Sequence, residues 1–431
     1  MYKTIKVKLT LLSIVGLLLL GTAITVTAVN QSTSALLEAE FNKLTTVEAA
    51  KKNEISNYLN SLKGLLISLT NSEITHEAFI DFEKGFYKLD EELKLDINTI
   101  SSKLKNDFQT SYLASVNYDV PNSEQKKDLS DYLPTNKNAI TAQYIFITDN
   151  KEKLGEKNSL TYNEKYTSTY MDAHKKYHPT YDKYLNSFEL YDIFMVDLKG
   201  NLIYTDFKEK DFATNLKTGI YANTGIGKVF AKAAASDEGT LAFEDFKPYE
   251  PSYNSAASFI ASPIFIQGVK KGVLIFQMPV DRINSVMSFD GNYKASGLGE
   301  SGEVYLVGED FKMRNNSRFV SDIKDKVVQD LGSTIGVWKI DTQSTRKVLQ
   351  DKIKESGKWI IPDYRGVNVL SVYSQIDLYG QATWAIISEI DEEEALLPAT
   401  KLKNLITMIS IGIIIAVALV MLFFINTIII K

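Results

Sequence analysis

Two long apolar runs enclose a mostly polar stretch of this chain. The first covers Leu9–Val29, 21 residues without a charge, and the second covers Leu405–Ile425 and continues apolar to Ile430. A helix of that length extends roughly 31 Å, which is the thickness of a bilayer's hydrocarbon core. The pattern therefore predicts two membrane-spanning helices, with residues 30–400 held together on one side of the membrane.

Lysines flanking the two runs predict the orientation of the chain. Three lysines lie within residues 1–8, and Lys431 follows the second run. Positive flanks favour the cytoplasmic side, so we expect residues 30–400 to lie outside the plasma (inner) membrane. A cleaved signal peptide over residues 1–29 is the alternative, although the apolar run is long for one and no clean cleavage site follows it.

The polar stretch opens with a pattern typical of one long helix, because residues 31–63 contain no glycine or proline. Its apolar positions step by four and three residues at Ile55, Leu59, Leu62, Leu66 and Leu69. This heptad spacing continues toward the first apolar run at Leu37, Phe41 and Leu44. We expect the upper half to pack on its own domain, and the part near the membrane to contact a second copy in a homodimer.

The remaining pattern predicts a mixed α+β fold with two successive sets of antiparallel strands. Helical spacing covers 77–115 and 164–188, and shorter helices are predicted over 226–235, 281–287 and 345–355. The first set of strands is Tyr191–Leu198, Leu202–Thr205, Thr240–Phe246, Phe259–Ile266 and Gly272–Met278. The second set is Glu303–Gly308, Lys358–Ile361, Val367–Tyr373 and Ala382–Ile390. Turns are expected at Lys199–Asn201, near Gly268 and at Tyr379–Gly380.

Five stretches of this strand-rich region carry a family resemblance. The most specific are GLGESGEVYLVGEDFKMRNNSRF (297–319) and DYRGVNVLSVYSQIDLYG followed by TWAIISEIDEEEA (363–395). The others are YDIFMVDLKGNLIYTDFKEKDFATNL (191–216), FKPYEPSYNSAASFIASPIF (246–265) and GVLIFQMPVDRINSVM (272–287). Together they resemble the double Cache (dCache) sensor domain of bacterial methyl-accepting chemotaxis receptors, sensor kinases and nucleotide cyclases. The fold implied is a long N-terminal helix plus two PAS-like Cache modules.

The resemblance implies a division of the chain into parts. A cytoplasmic N-terminus (1–8) and the first transmembrane helix (9–29) precede a stalk and helical region (30–115). A membrane-distal Cache module (116–290), a membrane-proximal one (291–395) and the second transmembrane helix (405–430) follow.

The resemblance also implies that a ligand binds in the distal module. Amino-acid sensors of this family carry an Arg-x-Trp-Tyr pattern after the first hairpin and an Asp on the last strand. Here the corresponding region Thr218–Asn223 offers Tyr221 alone, and Gln277 stands in place of the Asp. The first arginine of the chain is Arg282 and the first tryptophan is Trp338, so no arginine clamp is available there. A typical α-amino acid is therefore not the expected ligand.

The distal module retains aromatic, carboxylate and amide side chains for a small pocket. The candidate ligand-binding residues are Tyr204, Asp206, Tyr221, Asn223, Asp245, Phe246, Tyr249, Tyr253, Phe259 and Gln277. Tyrosine walls beside a carboxylate suit a cation, which is attracted to the face of an aromatic ring. The alternative is that the aromatic members are only core or lid packing.

Composition narrows the remaining classes of function. The chain has no cysteine and a net charge of −5 without a basic stripe, so thiol chemistry is excluded and nucleic acid is not an expected partner. His174 and His178 stand four apart on a predicted helix, but the tyrosines around them favour a packing or surface role over metal binding. We find no catalytic pattern and predict no enzyme, cofactor or metal.

These features and the resemblance together predict a bacterial transmembrane receptor, a chemoreceptor, that senses a small molecule outside the membrane. Ligand would shift the second transmembrane helix. The alternatives are the ectodomain of a sensor kinase or nucleotide cyclase, or a membrane-anchored protein that binds a partner and no small ligand. The output would come from a cytoplasmic signalling partner, or from HAMP and signalling domains of a longer chain.

Overall fold

The computed structural model describes Tyr2–Ile428. Met1 and residues 429–431, which include the predicted end of the second apolar run and Lys431, lie outside the described residues. The first helix, α1, covers Tyr2–Thr70 without interruption, so the first apolar run and the predicted helix after it are one element. Its 69 residues extend roughly 100 Å. The five heptad positions from Ile55 to Leu69 are all buried, as expected for packing on the chain's own domain.

Ten further α-helices follow among the described residues. They are α2 (Glu73–Leu93), α3 (Ile97–Asp107), α4 (Leu129–Tyr132), α5 (Lys137–Gln143), α6 (Thr169–Ser187), α7 (Gly225–Ala235), α8 (Val280–Ser288), α9 (Lys326–Leu331), α10 (Gln343–Leu349) and α11 (Glu392–Ile428). Short π-helical turns occur at Phe108–Tyr112 and Tyr144–Thr148. The predicted helix over 77–115 is divided, because Lys94 adopts the left-handed conformation after α2 and Asp96 caps the start of α3.

The first sheet has five antiparallel strands in the order β2-β1-β5-β4-β3. They are β1 (Asp192–Asp197), β2 (Leu202–Thr205), β3 (Ala242–Pro248), β4 (Ala256–Ile266) and β5 (Val269–Gln277). Helix α2 packs directly on the middle of this sheet, where any side chain at Gly272 would collide with Phe79. We call this sheet, with the helices and loops between residues 73 and 288 that cover it, the first module.

The second sheet has four antiparallel strands in the order β6-β9-β8-β7. They are β6 (Glu303–Val307), β7 (Gly357–Pro362), β8 (Asn368–Leu378) and β9 (Ala382–Asp391). The predicted turn between the last two is confirmed: Tyr379 and Gly380 both have positive φ, which a two-residue hairpin turn of this kind requires. One face of this sheet packs on α1 and the other on α10, and residues 297–391 form what we call the second module.

The two modules are joined by a buried ion pair. Arg314 of the second module, 2% exposed, donates from Nη2 to Asp245 Oδ2 of the first at 2.8 Å. The indole of Trp384 also donates to Asp245, at 3.0 Å, and its ring stacks on Phe246. Gly308 lies against the guanidinium, which leaves no room for a side chain there. This contact fixes the edge strand β3 to the second sheet.

The part of α1 next to the first apolar run packs within the chain. Leu44 is completely buried, and Leu37 and Phe41 are half-buried against the same core. The reason is that α11 returns alongside α1 and the second sheet covers the adjacent face. This intrachain packing uses the seam that the sequence assigned to a homodimer, and the homodimer itself stays a prediction.

Both end helices are long and apolar enough to cross a membrane, and their apolar windows are unburied by the rest of the protein. They contact each other: a Cβ at Gly21 would lie 3.7 Å from Cβ of Ser410. Helix α11 follows β9 directly, so it is continuous with the second sheet, although Pro398 removes one of its backbone hydrogen bonds.

Paired cysteines should test this helix contact. The chain has no cysteine, and a Cβ–Cβ separation near 3.8 Å is ideal for a disulfide. We expect Gly21→Cys combined with Ser410→Cys to form an intrachain disulfide on mild oxidation in lipid nanodiscs, seen as a mobility shift on a non-reducing gel. Gly16→Cys with Ser410→Cys is the control, since Gly16 faces open space. Equal oxidation of both pairs would contradict the packing.

The start of α11 is held by the second module. The carboxylate of Glu394 accepts hydrogen bonds from the backbone N–H groups of Glu300 and Ser301, both at 2.8 Å, and from the Ser301 hydroxyl at 2.5 Å. The left-handed Gly299 beside it has no space for a side chain. The loop at 299–301 therefore moves together with the first turn of α11.

Candidate functional site

The candidate site begins at one end of the first sheet. The register places Asp192, the first residue of β1, opposite Gln277, the last residue of β5, and Phe259 of β4 lies on the other side of Gln277. Side chains alternate between faces along a strand, so these three share one face. It is the face opposite to α2, since Tyr87 of α2 bonds Asp197, which has the other parity.

A charged loop folds inward over this face. Residues 208–211, Lys-Glu-Lys-Asp, follow β2 and are each at most 6% exposed. The backbone of Lys208 is left-handed, and its N–H donates to Thr205 Oγ1 at 2.9 Å, which turns the loop back on the sheet. With Asp192 and Glu250, three residues of this loop form a buried group that we call the polar cluster: Asp192, Glu209, Lys210, Asp211 and Glu250.

Asp192 is held by backbone groups. Its Oδ1 accepts from the N–H groups of Ile193 at 2.6 Å, Asp206 at 2.8 Å and Phe207 at 3.0 Å. Burial raises the pKa of this carboxyl well above its usual range, and the nearby Asp211 adds to the rise. Asp192 therefore fixes the loop after β2 to the start of β1.

Lys210 lies in an aromatic cage. Its ammonium is 3.3 Å from the ring centroid of Tyr112, 4.9 Å from that of Tyr132 and 5.4 Å from that of Phe108. Glu250 is the nearest carboxylate, at 4.0 Å. Burial lowers the pKa of Lys210 to about 7, although Glu250 and Glu209 oppose that fall. The cage is an environment that binds organic cations, and here the chain's own lysine occupies it.

Two acids of the polar cluster accept hydrogen bonds from tyrosine hydroxyls. Tyr249 donates to Asp211 Oδ2 at 2.5 Å, and Tyr191 donates to Glu209 Oε1 at 3.1 Å. Burial raises the pKa of Asp211 to about 6 and that of Glu209 well above its usual range. Both carboxyls are thus poised to change charge when a neighbouring group changes.

Two segments, residues 112–118 and 249–254, close over the cluster, and we call them the lid. Tyr118 donates to Glu250 Oε1 at 2.5 Å, and Asn254 Nδ2 donates to the backbone oxygen of Asn117 at 2.8 Å. Tyr112 stacks on Tyr253 with a centroid distance of 5.1 Å. A void of about 10 Å³, enough for a single water molecule, lies beside Glu250 between Tyr132 and Tyr221. The site is therefore closed in this conformation.

Closure leaves three polar atoms at the cluster without a hydrogen bond. Lys210 Nζ, Asp211 Oδ1 and Asn254 Oδ1 are all buried and make no hydrogen bond within residues 2–428. A buried polar group left unpaired costs about 1–3 kcal/mol. A small polar molecule that enters beneath the lid would supply the missing partners.

The structure brings together only some of the residues that the sequence singled out. Tyr221, Tyr249, Tyr253, Phe259 and Gln277 lie around the polar cluster, where Tyr221 donates to Glu250 Oε2 at 3.4 Å.

The other five candidates lie elsewhere. Asp245 and Phe246 face the second module, where Arg314 and Trp384 engage them. Tyr204 and Asp206 lie on the side of the sheet that packs on α2 and α6, bonded to each other at 2.9 Å. Asn223 is exposed in a shallow groove.

The two histidines of α6 are buried beside Tyr204. Their rings stack with a centroid distance of 4.3 Å, and His178 Nδ1 lies 2.8 Å from the Tyr204 hydroxyl. Burial lowers the pKa of His178 to about 3, so its ring is neutral at physiological pH. The residues that the structure describes contain no group of three potential metal ligands.

Sequence reasoning missed most of the polar cluster. A Lys-Glu-Lys-Asp run after a hairpin is normally solvated, so no local pattern predicted the burial of residues 208–211. Tyr112, Tyr118 and Tyr132 belong to a region with no strong pattern of its own. Their tyrosine content was the available signal.

The second module holds its own buried acids. Glu303 of β6 and Glu389 of β9 are directly opposite each other in the register and are both 2% exposed. Tyr305 donates to Glu389 Oε2 at 2.8 Å, and Tyr364 donates to Glu303 Oε1. Burial raises the pKa of Glu303 to about 7 and that of Glu389 to about 8. At neutral pH this pair therefore holds protons that exposed glutamates release.

Comparisons with known proteins found similarity at the level of structure alone. No protein-family model and no curated protein matches the chain. The extracellular domain of vpHK1S-Z8, assigned as a histidine kinase, is 12% identical with a TM-score of 0.43, over 86% of this chain and 96% of that one.

Two further solved structures are similar over most of the chain. The sensory domain of the Campylobacter jejuni chemoreceptor Tlp3 is 8% identical with a TM-score of 0.39, over 84% of this chain and 98% of that one. A domain of a sensory box/GGDEF family protein from Vibrio parahaemolyticus is 12% identical with a TM-score of 0.41, with the same coverage of 84% and 98%.

Proposed function

We propose that this chain is the sensory part of a bacterial membrane receptor, and that it binds a small molecule at the polar cluster of the first module. The observation that carries the proposal is a set of buried polar atoms that make no hydrogen bond. They are Lys210 Nζ, Asp211 Oδ1 and Asn254 Oδ1, at the polar cluster and its lid. Native proteins pair nearly all buried polar groups, so a local concentration of unpaired ones marks a binding site.

The chemistry of the cluster favours a ligand that carries a cation. The cluster holds four carboxyl groups and one lysine, whose nearest carboxylate is Glu250 at 4.0 Å, and the aromatic cage around Lys210 already stabilises an ammonium group. An organic cation is expected to displace Lys210 from the cage and pair with Glu250. An α-amino acid is not favoured, because the first module has no arginine before Arg282 to hold its carboxylate.

The signalling step proposed is a shift of α11 against α1. Ligand would move the lid and β3, the Asp245–Arg314 contact would pass this movement to the second module, and Glu394 would pass it to α11. Residues 30–400 would lie outside the plasma membrane, with both end helices crossing it. The output would be chemotaxis, with a sensor kinase or cyclase as the alternative, and the receptor would act as a homodimer.

A thermal-shift screen should test the ligand site. Residues 30–400, expressed without the end helices, should unfold cooperatively and be stabilised by small organic amines more than by common α-amino acids. Asp211→Asn should weaken a stabilising amine by about tenfold, the loss of one charge-assisted hydrogen bond. Asp237→Asn, an exposed acid outside the cluster, is the matched control.

Two results would count against the proposal. One is a segment that never unfolds cooperatively. The other is a stabilising amine whose affinity is the same in Asp211→Asn, Lys210→Met and the wild-type protein.

A second candidate function is favoured by the closed state of the cluster. Tyrosine side chains close the polar cluster, and the void beside Glu250 holds only about 10 Å³. A membrane-anchored protein that binds a partner would have such a filled cluster. The same screen separates the two, because a partner-binding protein would respond to no small molecule.

A further inference from the structure

Two buried glutamates lie side by side where α11 is attached to the second module. Glu303 of β6 and Glu389 of β9 are directly opposite each other in the register, so their side chains are neighbours on one face of the sheet. Both are buried, and Oε1 of Glu389 makes no hydrogen bond to any group in residues 2–428. Two carboxyl groups that share a dry site do not both ionise readily, so this pair has an affinity for protons that exposed glutamates lack.

The arginines near the pair are engaged by other groups. Arg365 donates from Nε to Asp363 Oδ2 at 2.6 Å, and from Nη2 to Asp391 Oδ1 at 2.5 Å. The guanidinium of Arg318 donates to backbone oxygens of the loop 299–302, at 2.5 and 3.0 Å. Neither arginine forms an ion pair with the two glutamates, so the charge that the pair gains on losing its protons is not neutralised locally.

The other elements that pack against the pair add hydroxyl groups and one more acid. β8 contributes Ser371, directly opposite Glu389, and α10 contributes Ser344, which lies within hydrogen-bond distance of Ser371. The titratable and charged groups around the pair are Tyr293, Tyr305, Arg318, Asp363, Tyr364 and Arg365. Burial raises the pKa of Glu303 to about 7 and that of Glu389 to about 8, and Asp363 adds to both rises.

The pair lies on the two strands that hold the start of α11. β9 ends at Asp391, and α11 begins at the next residue. The loop 299–301, which leads into β6, binds the carboxylate of Glu394 in the first turn of α11. Although burial opposes it, the bonds from this loop keep the pKa of Glu394 below its usual range, so Glu394 is ionised at neutral pH. A change in the spacing of β6 and β9 therefore alters the hold on α11.

We propose that Glu303 and Glu389 form a proton-operated switch that controls how firmly the second module holds α11. With a proton on the pair, β6 and β9 stay closely paired and the loop 299–301 keeps its bonds to Glu394. When the pH rises and the protons leave, like charges on opposite strands repel each other, which weakens the β6–β9 pairing and loosens the loop. The switch needs no ligand at the polar cluster, and only its use in signalling rests on the proposed function.

Amide hydrogen exchange should test the switch. The backbone N–H groups of Glu300 and Ser301 are bonded to Glu394, so their protection from exchange reports the hold on α11. On the full chain in lipid nanodiscs, and after correction for the intrinsic effect of pH on exchange, we expect this protection to fall by about tenfold between about pH 6 and about pH 9. No ligand is added, so the outcome is independent of the ligand site.

Variants identify the groups responsible. Glu389→Gln and Glu303→Gln each remove one charge with little change in shape, and each should keep the protection of residues 300–301 at the acidic level throughout. Glu309→Gln, at an exposed glutamate of the same module, should retain the wild-type dependence on pH. As a second measurement, the infrared difference between the wild-type protein and Glu389→Gln should contain a protonated-carboxyl band at about pH 6 that is absent at about pH 9.

Two results would overturn the switch. One is a wild-type protection of residues 300–301 that stays constant over this pH range. The other is a fall in protection that persists in both glutamine variants.

Discussion

Replacing Arg314 with methionine should lower the free energy of unfolding of residues 30–400 by about 3 kcal/mol. Methionine keeps much of the buried volume but removes the charge that holds Asp245. Breaking a buried pair leaves the partner carboxylate uncompensated, which typically costs about 3–5 kcal/mol. We expect the lower end, because the Asp245 side chain is 18% exposed and keeps its bond from Trp384. Urea unfolding followed by far-ultraviolet circular dichroism, which reports on both modules, measures the change.

Arg346→Met is the matched control for this prediction. Arg346 pairs with Asp341 at 2.6 Å, but the two side chains are 56% and 37% exposed, so water screens the pair and it contributes little to stability. In addition, Arg314→Met should separate the unfolding of the two modules into two transitions. Equal effects of Arg314→Met and Arg346→Met would show that the inter-module pair does not couple the modules.

Replacing Glu389 with glutamine should change how stability depends on pH. The pKa of Glu389 is raised from 4.5 to about 8 by burial, so its contribution is full below about pH 4.5 and is lost as pH rises toward about 8. Glutamine is neutral at every pH and resembles the protonated acid. The variant should therefore match the wild-type protein near pH 5 and become more stable than it, by about 1.4 kcal/mol per pKa unit, as the pH rises to about 8.

Urea unfolding at several pH values gives this difference directly. Buried groups distant from Glu389 titrate equally in both proteins, so the difference between them reports Glu389 together with its effect on the neighbouring Glu303. Glu300→Gln is the control, because Glu300 is exposed and its replacement should give a difference that is independent of pH. A constant difference for Glu389→Gln would mean that the pair with Glu303 is ionised throughout.

Local patterns predicted the fold well where the chemistry of the backbone decides it. The turn at Tyr379–Gly380 was predicted because glycine readily adopts the positive φ that such a turn requires. The α1 heptads were predicted because their apolar residues all pack against a single core. The prediction of strand Val367–Tyr373 was too short, because β8 extends to Leu378 by pairing with β9. The length of a strand depends on the partner strand with which it pairs, and a local window of sequence does not include that partner.

The site was harder to predict, because it depends on which face of a strand a residue occupies. Asp245 and Phe246 lie on β3, directly before the lid loop, yet both contact the second module. Tyr204 is separated from the polar cluster by the sheet itself. The buried Lys210 was missed for a different reason: its cage is built by Tyr112 and Tyr132, which are distant in sequence.

The continuity of α11 with the second sheet has a consequence for building chimaeric proteins. Glu394 fixes the angular position of the helix at its first turn, and each residue along a helix turns it by about 100°. Inserting one residue after Glu394 would rotate the far end by that angle, whereas inserting seven would nearly restore it. Fusions of this chain to a foreign domain after α11 should therefore be designed in steps of about seven residues, so that rotational phase is preserved.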